Sequence, residues 1–186
     1  STKNHHVDDI LAVTFTNKAA NEMKERLSDL LRRPIGRMWV GTFHSLAHRL
    51  LRTHPVEANL SPTFQILDAQ DQFRIVKRLM KENGVDETKF PIKKVQWFIN
   101  QQKDEGILPK DIDAGYNYFV KQSAKIFDLY ETHCQANDLV DFAGLLVKSY
   151  ELLKNNQSLL SHYQKKFHHI LVDEFQDTNR IQYQFI

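Results

Sequence analysis

Apolar residues along the chain follow two periods, and the changes between them mark out its elements. ILAVTFT (10–16) is β-branched and apolar with little alternation, the pattern of a strand buried on both faces. In NKAANEMKERLSDLLRR the apolar positions Ala20, Met23, Leu27, Leu30 and Leu31 recur at helical spacing. Thr16 or Asn17 can cap that helix, and Pro34-Ile35-Gly36 stops it. MWVGTF (38–43) predicts a second strand, so the first 43 residues have the form of a βαβ unit. The pattern then turns helical. HSLAHRLLRTH is followed by a short extended piece, FQIL (64–67), and Asp68 caps a helix over 69–83 with Phe73, Val76, Leu79 and Met80 inward. Gly84 ends that helix, Pro91 opens the next and Gly106 closes it. Further helices are predicted over about 117–137, 139–155 and 158–167, with Phe119, Ile126, Phe127 and Tyr130 as core of the first. HHILVD (168–173) restores the buried-strand pattern, and a helix start at TNRIQYQFI follows.

A crossover between parallel strands ordinarily needs one helix and short loops. The 124 residues from His44 to Phe167 are too many for that, so they predict a helical unit inserted into an α/β domain. Composition fits this reading: 41% hydrophobic and 26% charged residues is ordinary for a globular chain. The single Cys134 excludes an internal disulfide framework and a cysteine-rich zinc site, and suits a reducing compartment. No apolar run approaches the ~20 residues of a membrane span, and the start, STKNHHVDD, lacks a signal-peptide core. The expectation is a soluble intracellular protein with no membrane partner. The missing initiator Met and the apolar Ile186 suggest a piece of a longer chain.

Candidate chemistry gathers where strands end. ILVDEFQDTN (170–179) closes an apolar strand with Asp173 and Glu174, followed by Gln176 and Asp177. Ligands of open α/β sheets bind at the carboxyl ends of strands. There an Asp can hold Mg²⁺ and an adjacent Glu can position or deprotonate water. The same acids also read as a helix start favoured by the helix dipole. In TFTNKAANEM (14–23), Thr14, Thr16 and Asn17 suit phosphate oxygens beside free backbone N–H groups, and Phe15 can stack on an unpaired base. Helix capping and core packing account for the same residues. In GTFHSLAH, His44 and His48 have the i, i+4 spacing of a zinc helix, but neither the Glu of the metalloprotease pattern nor a third ligand is present. Thr42 and His44 better suit phosphate or sugar contacts. Gly36 and Gly41 have a P-loop spacing, yet Thr42 stands where Lys is required, and no Walker A loop occurs in the sequence. Arg74, Lys77, Arg78 and Lys81 form a basic stripe on one helix, either a solvated face or a contact to a DNA backbone. Trp97, Phe98 and the aromatics from Tyr116 to Phe119 read as core of the insertion, and His133 beside Cys134 as neither metal site nor catalytic pair.

The order TFTNKAANEM, VGTFHSLAHRLLR, helical insertion, ILVDEFQDTN resembles the UvrD/Rep/PcrA family of superfamily 1 DNA helicases, matching its motifs Ia, Ib and II (Walker B). ANLSPTFQILD, NQQKDEG and LVDFAGLL extend the resemblance through the insertion. It implies a chain that is mostly α by content. Part of the parallel sheet of a RecA-like P-loop NTPase domain (1A) would lie at 1–43 and 168–186, and a helical 1B domain at 44–167. It further implies ATP and Mg²⁺ as cofactors of a parent that moves 3′→5′ on single-stranded DNA in repair or replication. Single/double-strand junctions and repair proteins would be partners, in the bacterial cytoplasm. Asp173 would assist Mg²⁺, Glu174 would activate water, Gln176 would sense the γ-phosphate, and Asp177 would contribute. Thr14, Phe15, Thr16, Asn17, Thr42 and His44 would line the strand's path.

The family's Walker A loop and motifs III–VI are absent from these 186 residues. The isolated chain is therefore expected neither to hold ATP or Mg²⁺ tightly, nor to hydrolyse ATP, nor to unwind DNA. Two other readings stand beside this one: the helicase part of a RecB/AddA-type helicase–nuclease, and a non-catalytic DNA- or protein-binding helical module. The net charge of +2 divides along the same lines, with +2 in each of 1–43 and 44–167 and −2 in 168–186. The acidic end coincides with the proposed metal corner.

Overall fold

A computed structural model of the chain describes residues 7–32, 34–36 and 38–186. The opening residues 1–6 and Arg37, within the Gly36–Gly41 spacing, lie outside the described residues. The chain is mostly helical with a small parallel sheet, as the sequence predicts. Strand β1 (Ile10–Thr14) leads through helix α1 (Asn17–Leu31) to β2 (Trp39–Thr42). Helix α2 (Phe43–Thr53), strand β3 (Gln65–Leu67), and helices α3 (Ala69–Glu82), α4 (Ile92–Asp104) and α5 (Tyr118–Ala136) follow. The chain ends with β4 (Leu139–Asp141), α6 (Phe142–Asn155), α7 (Gln157–Lys166), β5 (His169–Val172) and the short α8 (Arg180–Phe185).

The order β2-β1-β5 makes a three-stranded parallel sheet. Alternate residues of β1 face opposite sides. Leu11 and Val13 join Trp39 beneath α2, α6, α7 and α8, while Ala12 joins Met38 and Val40 beneath α1. The central strand β1 and its neighbour β2 are buried, as their apolar runs predict. β5 departs from that expectation: Ile170 and Leu171 are exposed, because α1 and α2 pack on β2, the opposite edge, while no helix among the described residues packs comparably on β5. Leu30, assigned to the apolar face of α1, also lies on the surface.

The insertion is not wholly helical. LVDFAGLLVKSYELLKN reads as one helix, but its first three residues are β4, paired in parallel with β3 from Gln65↔Leu139 to Leu67↔Asp141. The Asp141 side chain accepts from Gly144 N, so the helix begins only at Phe142. Nor do the apolar cores divide at 43/44 and 167/168. Helices α2, α6 and α7 share the core of the sheet, and a second core joins α3, α4 and α5 around Val76, Ile99, Ile126, Phe127 and Tyr130. Phe98 is buried as expected and Phe119 partly so, but Trp97, Tyr116 and Tyr118 face outward.

The second core closes on a charged centre. Lys103, 5% exposed, donates to both oxygens of Asp141, 4% exposed, at 3.0 and 2.9 Å, and reaches Glu131 Oε1 at 2.5 Å. Asp141 also accepts from Tyr130 Oη (2.7 Å), Gln72 Nε2 (3.1 Å) and Gly144 N (2.6 Å). Burial opposes the charge on each partner, but the attraction between them prevails. Lys103 is held above its ordinary pKa and Asp141 below its own. A Cβ at Gly144 would come within 2.8 Å of Asp141 Oδ1, so this cap requires glycine.

Removing one partner leaves a buried charge unanswered, so Asp141→Ala is predicted to cost about 3–5 kcal/mol, measured by urea unfolding. The contribution of Asp141 is present above its ordinary pKa of about 3.9 and is lost as pH falls through the lower folded value. Unfolding midpoints of the wild type should fall in that acid window, and those of Asp141→Asn should fall less.

Candidate functional site

Parallel pairing puts the carboxyl ends of all three strands on one rim. Thr14 stands opposite Thr42, Val13 opposite Val172, and Asp173 N continues the ladder to Val13 O at 3.0 Å. Residues nominated from three separate segments are thereby neighbours.

Along the rim, capping and exposure are divided among them. Thr14 is fully buried and donates to Thr16 O at 3.3 Å, so this nominated residue offers no surface to a ligand. Thr16 is exposed and caps α1 by accepting from Ala19 N (3.1 Å), with Asn17 exposed beside it. Phe15 is half-buried and packs its ring edge on Phe43, with centroids 5.4 Å apart. Thr42 is buried and caps α2 through Ser45 N (3.1 Å), so its hydroxyl too is already occupied. His44 is half-buried, and burial holds its imidazole below the ordinary value. Capping thus accounts for Thr16 and Thr42, and packing in part for Phe15. The surfaces left to a ligand are those of Phe15, Thr16, Asn17 and His44.

One rim residue was missed in the sequence. Phe142, 56% exposed, sets its ring 5.6 Å from His44. A signal for it exists: AVTF, VGTF and LVDF all place a Phe after a strand-ending Thr or Asp. In the last two that residue caps a helix beginning at the Phe.

The acidic corner follows β5. Asp173, Glu174, Gln176 and Asp177 are all exposed. Glu174 adopts a left-handed backbone (φ 51°), costly for a non-glycine residue, and a 3₁₀ turn over Phe175–Asp177 follows. Helix α8 starts at Arg180, is capped by Asn179 and Gln182, and has no acid in its first turn. The acids stand at this separate 3₁₀ turn, with Glu174 at its N-cap and Asp177 within it, rather than at the start of α8. Among the described residues no three His, Cys, Asp or Glu side chains converge on a metal position. Carboxylates at a strand end suit Mg²⁺, which keeps most of its waters and binds through one or two carboxylates plus phosphate oxygens.

The basic stripe lies elsewhere. Helix α3 packs on α4, α5 and β3. Arg74 pairs with Asp71 at 3.0 Å, and Arg78 meets Glu82 at 3.9 Å and His133 at 3.0 Å, leaving Lys77 and Lys81 as its exposed lysines. An apolar groove of about 590 Å³ runs between the sheet and α6–α8 past Trp39, Tyr163 and Phe167, and contains none of the nominated residues.

The model of the UvrD/REP helicase N-terminal domain matches residues 1–186. The chain belongs to this helicase family. DNA helicase II of Salmonella typhimurium (strain LT2) is 49% identical over 186 residues, all of this chain and 26% of the relative. DNA helicase II of Escherichia coli (strain K12) is 51% identical over 177 residues, 95% of this chain and 25% of the relative. The ATP-dependent DNA helicase PcrA of Bacillus subtilis (strain 168) is 36% identical over 179 residues, 95% of this chain and 24% of the relative. This UvrD/REP-family chain thus spans about a quarter of the length of these relatives. No helix among its described residues is long and apolar enough to cross a membrane.

Loss of either cap, in Thr16→Ala or Thr42→Ala, should destabilise the chain by about 0.5–2 kcal/mol in urea unfolding. Because His44 is depressed in the fold, the unfolded chain takes up its proton at higher pH than the folded chain does. Stability linked to His44 is full above about pH 6.5 and is lost as pH falls from there toward the folded value. His44→Gln should flatten that part of the pH profile.

Proposed function

We propose that the chain is part of an ATP-dependent 3′→5′ DNA helicase, with its strand-end rim divided between nucleotide and single-stranded DNA. The observation that carries this is the convergence of three family motifs on the carboxyl ends of one parallel sheet. On this reading 1–43 and 168–186 contribute to the RecA-like domain 1A. The region 44–167 contains the 1B insertion, whose own core is that of α3–α5.

Bound Mg²⁺–ATP supplies the phosphoryl bond that is broken and the charge that the site must stabilise. Asp173 would hold the metal, directly or through water. Glu174 would orient the attacking water and take its proton. Gln176, on the exposed turn after it, would sense the γ-phosphate and link it to the DNA site, and Asp177 on the same turn would contribute. Phe15 and Phe142 offer rings to unpaired bases, while Thr16, Asn17 and His44 offer polar groups to phosphate and sugar. Lys77 and Lys81 would meet a DNA backbone beyond the rim, toward a single/double-strand junction. Phosphoryl transfer also requires the P-loop lysine and an arginine finger, so the 186-residue chain alone is proposed to be inactive toward ATP. Repair or replication is the setting this reading implies, with repair proteins as further partners.

The 186-residue chain should bind oligo(dT) weakly in fluorescence anisotropy, with a log–log salt slope of about −0.7 per neutralised phosphate. Phe15→Ala should weaken binding severalfold, and a flat salt response would remove DNA from the account. In the full-length parent, Glu174→Gln should abolish DNA-stimulated ATP turnover and leave nucleotide binding intact. ATP turnover by the 186-residue chain above its own Glu174→Gln control would overturn the proposed inactivity.

A further inference from the structure

The charged centre of the second core touches the rim through a single residue step. Asp141 is the last residue of β4 and the cap of α6, and Phe142 is the first residue of α6. What fixes the Asp141 carboxylate therefore fixes the start of α6, and with it the direction of the exposed Phe142 ring toward His44. The groups that fix it come from the inserted helices: Gln72 on α3, Lys103 on α4 and Tyr130 on α5. Two of these are tied in turn. Lys103 is held by Glu131, and Gln72 by Asn100 (2.7 Å) and Gln96 (2.9 Å).

We propose that Lys103 and Asp141 are positioning residues for single-stranded DNA: their buried pair sets Phe142 against His44, so the inserted helices fix one stacking ring of the rim. The inference rests on the DNA reading of the rim given above. Asp141 has an apolar residue on each side, Val140 buried in the core and Phe142 turned outward. Only the outward one lies against a nominated contact residue.

The test combines two readouts on the 186-residue chain with Lys103→Met, Phe142→Ala and the double variant. The first is the NMR shift of the His44 ring protons, which the neighbouring Phe142 ring displaces. The second is oligo(dT) affinity by fluorescence anisotropy. Phe142→Ala should weaken binding roughly fivefold or more, the loss of one stacked base. Lys103→Met should move the His44 resonances toward their positions in Phe142→Ala and weaken binding to a similar degree. The double variant should bind no more weakly than Phe142→Ala alone. Should Lys103→Met fail to fold by circular dichroism, Tyr130→Phe takes its place. It deletes one hydrogen bond to Asp141 while keeping the ion pair, and should give a smaller displacement in the same direction. Unmoved His44 resonances in a folded variant, or additive losses in the double variant, would overturn the inference while leaving the DNA reading in place. Absence of oligo(dT) binding by the wild type would overturn both.

Discussion

A carboxylate taken out of water has to be answered by its surroundings, and at Asp141 four elements do so. An ammonium from α4, a phenol from α5, an amide from α3 and a backbone N–H from α6 converge on its two oxygens. None of these groups is a neighbour of the others in sequence, so the centre exists only when α3, α4, α5 and α6 are all in place. A hydrophobic core tolerates small slips, because dispersion is not directional. A buried ion pair does not, since a slip of an ångström leaves charge unanswered. The apolar contacts of the second core supply bulk stabilisation, and the ion pair selects one arrangement among the packings those contacts allow.

The rim obeys a simpler constraint. Parallel strands place their ends side by side, and each helix that follows must have its first N–H groups satisfied. Threonine and aspartate do this with one side-chain oxygen. Capping and ligand binding therefore draw on the same short list of residues. Thr42 spends its hydroxyl on α2 and Phe43 after it is buried, whereas Phe15, His44 and Phe142 keep surface to offer.

Much of this was legible in the sequence, for reasons that can be named. β1, α1 and β2 were legible because their periods are long enough to distinguish and their boundaries carry caps. The acidic turn was legible as a candidate because an apolar strand runs directly into two acids. β4 was not, because three residues are too few to show alternation and the helical pattern of 142–155 absorbed them. Lys103 reads as surface in NQQKDEG, and only partners 28 and 38 residues further on, at Glu131 and Asp141, show why it is buried. The outward faces of Trp97 and Tyr118 likewise depend on how α4 and α5 meet rather than on their own hydrophobicity. Exposure of Ile170 depends on which helices cover β5, which its own composition does not record.

The thin cover over β5 makes the two halves of the rim unequal. Among the described residues β2 and β5 are both edges of the sheet, but β2 is buried beneath α1 and α2 while Ile170 and Leu171 of β5 are exposed. The acidic turn hangs from this strand. Local opening at β5 would release Asp173 and Glu174 without disturbing β1, β2 or the caps of α1 and α2. The carboxylate end of the rim is thus the part that can be ordered or loosened by what lies against it, while the aromatic end is held by the interior.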